Sequence, residues 1–134
     1  MPGIQVLTDK QEIMKVIKSF QVNTKTFWGA CVDSTLPSFS VTKVLQGYIK
    51  ASMRGVKIFY ITEITRDNLP HCEELVQFAV LRHLGCVRGN FDVSDTEHVA
   101  GVIHGNILAS LLYSNVKELV QQQRHVFDML WEQA

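Results

Sequence analysis

The stretch Arg54-Gly-Val-Lys-Ile-Phe-Tyr-Ile-Thr-Glu-Ile-Thr-Arg-Asp-Asn68 decides the fold class. Gly55, directly after Arg54, is the residue expected at a helix C-terminal stop. Ile58, Phe59, Tyr60 and Ile61 are β-branched or aromatic, the composition of an interior strand. Thr62, Glu63, Thr65, Arg66, Asp67 and Asn68 then crowd polar groups onto the carboxyl end of that strand. In open α/β sheets this is the end where ligands usually bind.

Working outward, Thr8 with Gln11 three residues on reads as a capping box. Ile13, Val16, Ile17 and Phe20 behind it keep to one helical face. A strand is expected over residues 26–32, ending in the turn Asp33-Ser34-Thr35-Leu36-Pro37-Ser38, which Pro37 makes firm. A second helix starts near Ser38 or Ser40 and buries Val41, Val44, Leu45, Tyr48 and Ile49. Downstream, a third helix is expected over about 68–84, with Pro70 in its first turn and Glu73 and Glu74 at its positive end. Its buried stripe is Leu75, Val76, Ala79, Val80 and Leu84.

Residues 87–94 read as a strand, or a strand and turn, and 99–103 with 107–113 as a hairpin around Gly105-Asn106. Asn115 and Glu118 read as the cap and third residue of a last helix that packs Val116, Leu119, Val120, Phe127, Leu130 and Trp131. Strand, helix, strand, helix, hairpin and helix argue for an α/β fold in which helices sandwich a mixed β-sheet.

With 134 residues the chain is expected to form one domain with a real core. Apolar residues make up 46% and charged residues 19%, an ordinary globular balance. Thirteen basic and thirteen acidic residues cancel, and no Lys/Arg cluster interrupts the sequence. Nucleic acid is therefore not expected as a partner. No apolar run approaches the roughly 18 residues of a membrane span, so no membrane partner is expected either. Met1-Pro2-Gly3-Ile4-Gln5 lacks the basic start and apolar run of a signal peptide. Cys31, Cys72 and Cys86 are odd in number and widely spaced, which fits reduced thiols and a cytoplasmic protein.

No catalytic pattern is legible. His71, His83, His98, His104 and His125 show no recognisable metal spacing, and Cys31 reads as a small apolar residue inside a strand. No nucleophile elbow or phosphate-binding glycine loop occurs, and no metal or cofactor is expected. Polar clusters at strand ends are the stronger signal: Asp33-Ser34-Thr35, Thr62-Glu63 with Arg66 to Asn68, and Asn90 with Ser94-Asp95-Thr96. Turns and caps need these residue types. Alternatively, Asp33, Ser34, Thr62, Glu63, Arg66, Asn68, Asn90 and Asp95 converge on a cleft for a small polar or anionic ligand. Arg66, Arg82 and Arg88 would then supply charge-assisted contacts.

Six segments together resemble the N-terminal sensor-like region of archaeal two-component histidine kinases. They are Cys31-Val-Asp-Ser34, the opening stretch, Leu81-Arg-His-Leu84, Gly89-Asn-Phe-Asp-Val-Ser-Asp95, Tyr113-Ser-Asn-Val-Lys-Glu-Leu-Val-Gln-Gln-Gln123 and Phe127-Asp-Met-Leu-Trp131. The resemblance covers roughly residues 26–134. In that family a PAS module, a phosphoacceptor-histidine dimer and an ATP-binding domain follow. This chain ends at Ala134, so kinase activity does not carry over.

The order of elements is more remotely similar to phospholipase D-like domains, whose enzymes use His-x-Lys followed by Asp, with the histidine as nucleophile. Here the five histidines are followed two residues on by Glu73, Gly85, Ala100, Asn106 and Phe127, so the motif is absent. Sugar-responsive archaeal transcription regulators resemble such a degenerate case, by fold-level analogy.

The resemblance implies a non-catalytic, cytoplasmic sensing domain that binds an unknown small polar ligand and relays through its C-terminal helix to a histidine kinase or other signalling module. The alternative is a homodimerising or adaptor module that uses Phe127 and Trp131 on that helix.

Overall fold

The structure, a computed structural model, describes residues 3–105 and 107–134. Its elements in chain order are β1 (Ile4–Leu7), α1 (Lys10–Asn23), β2 (Phe27–Val32), α2 (Leu36–Lys43), α3 (Leu45–Met53) and β3 (Lys57–Thr62). There follow α4 (Leu69–Leu75), β4 (Val80–His83), β5 (Asn90–Ser94), β6 (His98–His104), β7 (Ile107–Ser114) and α5 (Lys117–Gln133). The strands form one seven-stranded sheet in the order β1-β7-β6-β5-β2-β3-β4. β2 is parallel to β3, and β3 to β4, whereas β5, β6, β7 and β1 continue the sheet in antiparallel fashion.

Strands covered on both faces read as unbroken apolar runs, which explains β2 and β3. Their alternate residues serve two cores. Trp28, Ala30, Val32, Ile58 and Tyr60 point to a core shared with α1 to α4, and Phe27, Cys31, Phe59 and Ile61 to a second core beneath α5. In the first, Trp28 stacks on Tyr48 at 4.2 Å between ring centroids and meets Phe20 edge-on at 5.7 Å. In the second, Gly29 leaves room for the Phe127 ring, and Trp131 lies edge-on to Phe59 at 5.1 Å. The expected mixed sheet between helices is thus the observed one.

Several element boundaries differ from expectation. The cap of α1 is Asp9, whose carboxylate accepts from the Glu12 amide at 3.0 Å, so Thr8 is not its capping residue. The second helix is two, because the Val44 carbonyl is taken by the buried Gln21 side-chain amide at 3.1 Å and the chain restarts at Leu45. The helix expected over 68–84 ends at Leu75, and Val80–His83 instead pairs with β3. That pairing satisfies backbone groups on the open edge of β3, a stronger demand than local helical periodicity. Val76 and Val80, expected in a buried stripe, are 56% and 55% exposed.

β1 was not expected at all; it pairs with β7 from Ile4 opposite Ser114 to Leu7 opposite Leu111. Asn115 is not the cap of α5. Val116 stands there, while the Asn115 side chain accepts from the Gly3 amide at 2.6 Å and ties the first strand down. Gly105 has φ +64, and Asn106 lies outside the described residues. No helix among the described residues is long and apolar enough to cross a membrane.

Candidate functional site

β2 and β3 end side by side, and their polar termini meet there. The Asp33 amide donates to Asn90 Oδ1 at 2.8 Å, and Asn90 Nδ2 returns a bond to Asp33 Oδ2 at 2.9 Å. Thr62 Oγ1 donates to the Asp33 carbonyl at 3.1 Å. Asn68 Nδ2 reaches the carbonyls of Ser34 at 3.0 Å and Glu63 at 2.9 Å. Burial would raise the Asp33 pKa, but donors on Thr35 and Asn90 and the Leu36 amide outweigh it and hold the carboxyl below its usual range. Asp33, Ser34, Thr62, Glu63, Asn68 and Asn90 are therefore brought together, but these bonds are spent on stapling one another's loops.

Two residues of the expected cleft behave differently. Arg66 is exposed and has no hydrogen bond or ion pair among the described residues. Asp95 lies at the opposite end of the sheet. β5 runs antiparallel to β2, so Asn90 sits by the end of β2 and Asp95 by its start, five steps or about 17 Å apart along an extended strand. There Asp95 accepts from the amides of Lys25, Thr26 and Phe27 at 2.9, 3.1 and 2.7 Å.

The candidate nucleophiles are scattered. Burial, then the Asp92 charge, pushes the Cys31 thiol up to about 11, so it stays protonated. His83 Nδ1 accepts from the Ile64 amide at 2.9 Å, and burial lowers the pKa of His98. Among the described residues no group of three or more His, Cys, Asp and Glu side chains could hold a metal. On α5, Phe127 is 1% exposed and stacks on Trp131 over β2 and β3. Arg82 lies 4.2 Å over the Trp131 ring and donates to its carbonyl at 2.8 Å. The helix that was to present Phe127 and Trp131 to a partner turns both against the sheet.

Sequence reasoning missed Asp92. It lies in the middle of β5, where Trp28 Nε1 donates to its Oδ2 at 2.7 Å, and burial raises its pKa to about 6 against that bond. Asp92 lines a cavity of about 50 Å³ with Trp28, Ser40 and Tyr48. Phe39 and Leu108 line this cavity and also the groove outside it.

That outer groove, of about 730 Å³, lies where α1, α2 and β7 meet. Lys10, Lys15 and Lys18 from α1 and Lys43 from α2 line it, over a floor of Met14, Phe39, Ile107 and Leu108. Lys18 and Lys43 also line an adjoining groove that continues to Lys50. Among the described residues no acidic side chain lines either groove, and none of the five lysines makes an ion pair. The absence of a Lys/Arg cluster in the sequence is thus corrected in three dimensions: packing of three helices gathers lysines up to forty positions apart.

No family model and no curated protein matches the chain. Solved structures do. TrmBL2, an archaeal chromatin protein whose structure shows a novel mode of DNA binding, matches 98% of this chain with TM-score 0.76 and 16% identity. This chain spans about half, 53%, of that one. NucT from Helicobacter pylori matches 98% of this chain and 96% of its own, with TM-score 0.78 and 13% identity. The fold is phospholipase D-like.

These neighbours overturn the expectation of a signal-sensing or adaptor domain with no nucleic-acid partner. The sensing role rested on likeness to signalling domains, and likeness of structure leads instead to an archaeal chromatin protein with a novel mode of DNA binding and to NucT. The exclusion of nucleic acid rested on zero net charge and on the lack of a Lys/Arg cluster in the sequence, neither of which registers where charges gather in the fold.

Proposed function

We propose that this chain is a nucleic-acid-binding domain that holds the phosphate backbone in the lysine groove without cleaving it. The observation that carries this reading is the unpaired set Lys10, Lys15, Lys18 and Lys43 around one groove free of acidic residues. Lysine ammonium groups neutralise phosphates and release counterions, which drives binding whatever the base sequence. The DNA binding described for TrmBL2 on the same fold supports it. A cytoplasmic location accords with a nucleic-acid partner and with the free thiols of Cys31, Cys72 and Cys86. Kinship with the N-terminal domain of archaeal histidine kinases belongs to this reading as shared descent of the domain.

Binding without cleavage accords with the missing His-x-Lys motif and with histidines dispersed over α4, β4, β6 and α5. Fluorescence anisotropy with labelled DNA at 50 and 200 mM salt tests the reading. Four phosphate contacts predict that affinity falls on the order of a hundredfold between those salts. Lys15→Glu combined with Lys43→Glu should abolish the signal while the probe stays intact. A protein that binds no DNA or RNA at the lower salt, or whose double variant binds unchanged, defeats the proposal. Probe cleavage that a single substitution in the chain removes would defeat its non-catalytic half.

A further inference from the structure

Resting on the nucleic-acid reading above, we infer that the groove takes a single strand, its bases turned in against the apolar floor and its phosphates out on the lysine rim. A duplex presents phosphates and sugars outward and hides its bases. Set against this groove, it would press charged phosphate onto Met14, Phe39, Ile107 and Leu108 and lose hydration without compensation. An unpaired strand has both surfaces the groove asks for: apolar base faces and a charged backbone.

The rim is two-sided. Lys10, Lys15 and Lys18 stand on α1, and Lys43 faces them from α2. From Lys10 to Lys18 the α1 wall runs about 12 Å at the rise of an α-helix, and the adjoining groove extends the track to Lys50. Ile107 is 61% exposed, an open apolar surface at the mouth. Phe39 supplies the aromatic face on which a base can stack, a contact that tolerates any base.

The test compares a labelled single-stranded oligonucleotide with its duplex in anisotropy titrations on the full chain. The single strand should bind at least about tenfold more tightly, and Phe39→Ala should weaken it about tenfold while leaving duplex binding unchanged. Because Phe39 also lines the inner cavity, Ile107→Ser provides an independent variant on the exposed floor, and should weaken the single strand likewise. Equal affinity for duplex and single strand, or indifference to both floor variants, overturns the single-strand inference and leaves backbone binding standing. If neither probe binds, both readings fall. If anionic vesicles bind through the same lysines and the oligonucleotide does not, the groove serves a lipid surface and both readings fall as well.

Discussion

The Trp28 indole donates to Asp92 at 2.7 Å across β2 and β5, placing a carboxyl in the first core beside a stacked Trp28–Tyr48 pair. The Asp92 pKa rises from 3.8 to about 6 because burial penalises its charge more than one indole bond favours it. A group with a raised folded pKa stabilises fully below its unfolded value, and that stability is lost as pH rises through the folded one. Stability should therefore fall between about pH 4 and 6, by at most roughly 3 kcal/mol because Asp92 is half-buried and partly screened by solvent. Asp92→Asn keeps an acceptor for the indole and should flatten this slope in urea titrations at pH 4.5, 5.5 and 7. A variant whose profile parallels the wild type would show that Asp92 ionises freely.

Asp95 has the opposite sign. Burial would raise its pKa, but three amides and the Thr26 hydroxyl outweigh that and lower it. Its stabilisation should be present above the ordinary carboxylate range and lost as pH falls through the lowered value. Asp95→Ala should cost about 1–2 kcal/mol at pH 7, since water can reach the freed amides of this exposed site. The gap from wild type should narrow as pH falls below the ordinary carboxylate range; a gap that stays constant with pH would assign the loss to something other than charge.

Gly29 and Phe127 fit only as a pair. A Cβ at Gly29 would lie 2.9 Å from three atoms of the Phe127 ring. Gly29→Ala should push α5 off the sheet and cost about 1–3 kcal/mol. Adding Phe127→Leu should recover part of that loss, a coupling that a double-mutant cycle reads directly. Strict additivity would mean that α5 yields without resistance.

Arg54 closes α1 from outside. Its guanidinium donates to the carbonyls of Gln21 at 2.9 Å and Thr24 at 3.0 Å, at the negative end of the helix. Arg54→Met keeps the aliphatic stem and should cost about 1 kcal/mol by chemical denaturation. An unchanged midpoint would show that water replaces the guanidinium fully.

Much of the fold was legible because its signals are local. The apolar runs of β2 and β3, Gly55 at φ +89 and the stripe on α5 each carry their own chemistry. β1 and β4 are four-residue edge strands that exist because a neighbouring edge needs pairing, and four residues hold no period to read. The polar ends of β2 and β3 were found, but the sequence does not say that their donors and acceptors cancel. Asp92 lies between Phe91 and Val93 with nothing local to mark it. The lysine groove left half a trace: Lys10, Lys15 and Lys18 share one side of α1, but Lys43 joins them only through packing of α2.

The pairing of Ile4 with Ser114 joins segments more than a hundred positions apart, whereas β6 and β7 meet across a tight hairpin. Closing the long loop carries its entropy cost before any contact rewards it. On that ground the hairpin and the β2–β3 pair are expected to form before β1 docks. Contacts made after the rate-limiting step govern how slowly a chain comes apart, not how quickly it folds. β1 would then be a latch: weakening its pairing with β7 should speed unfolding more than it slows folding.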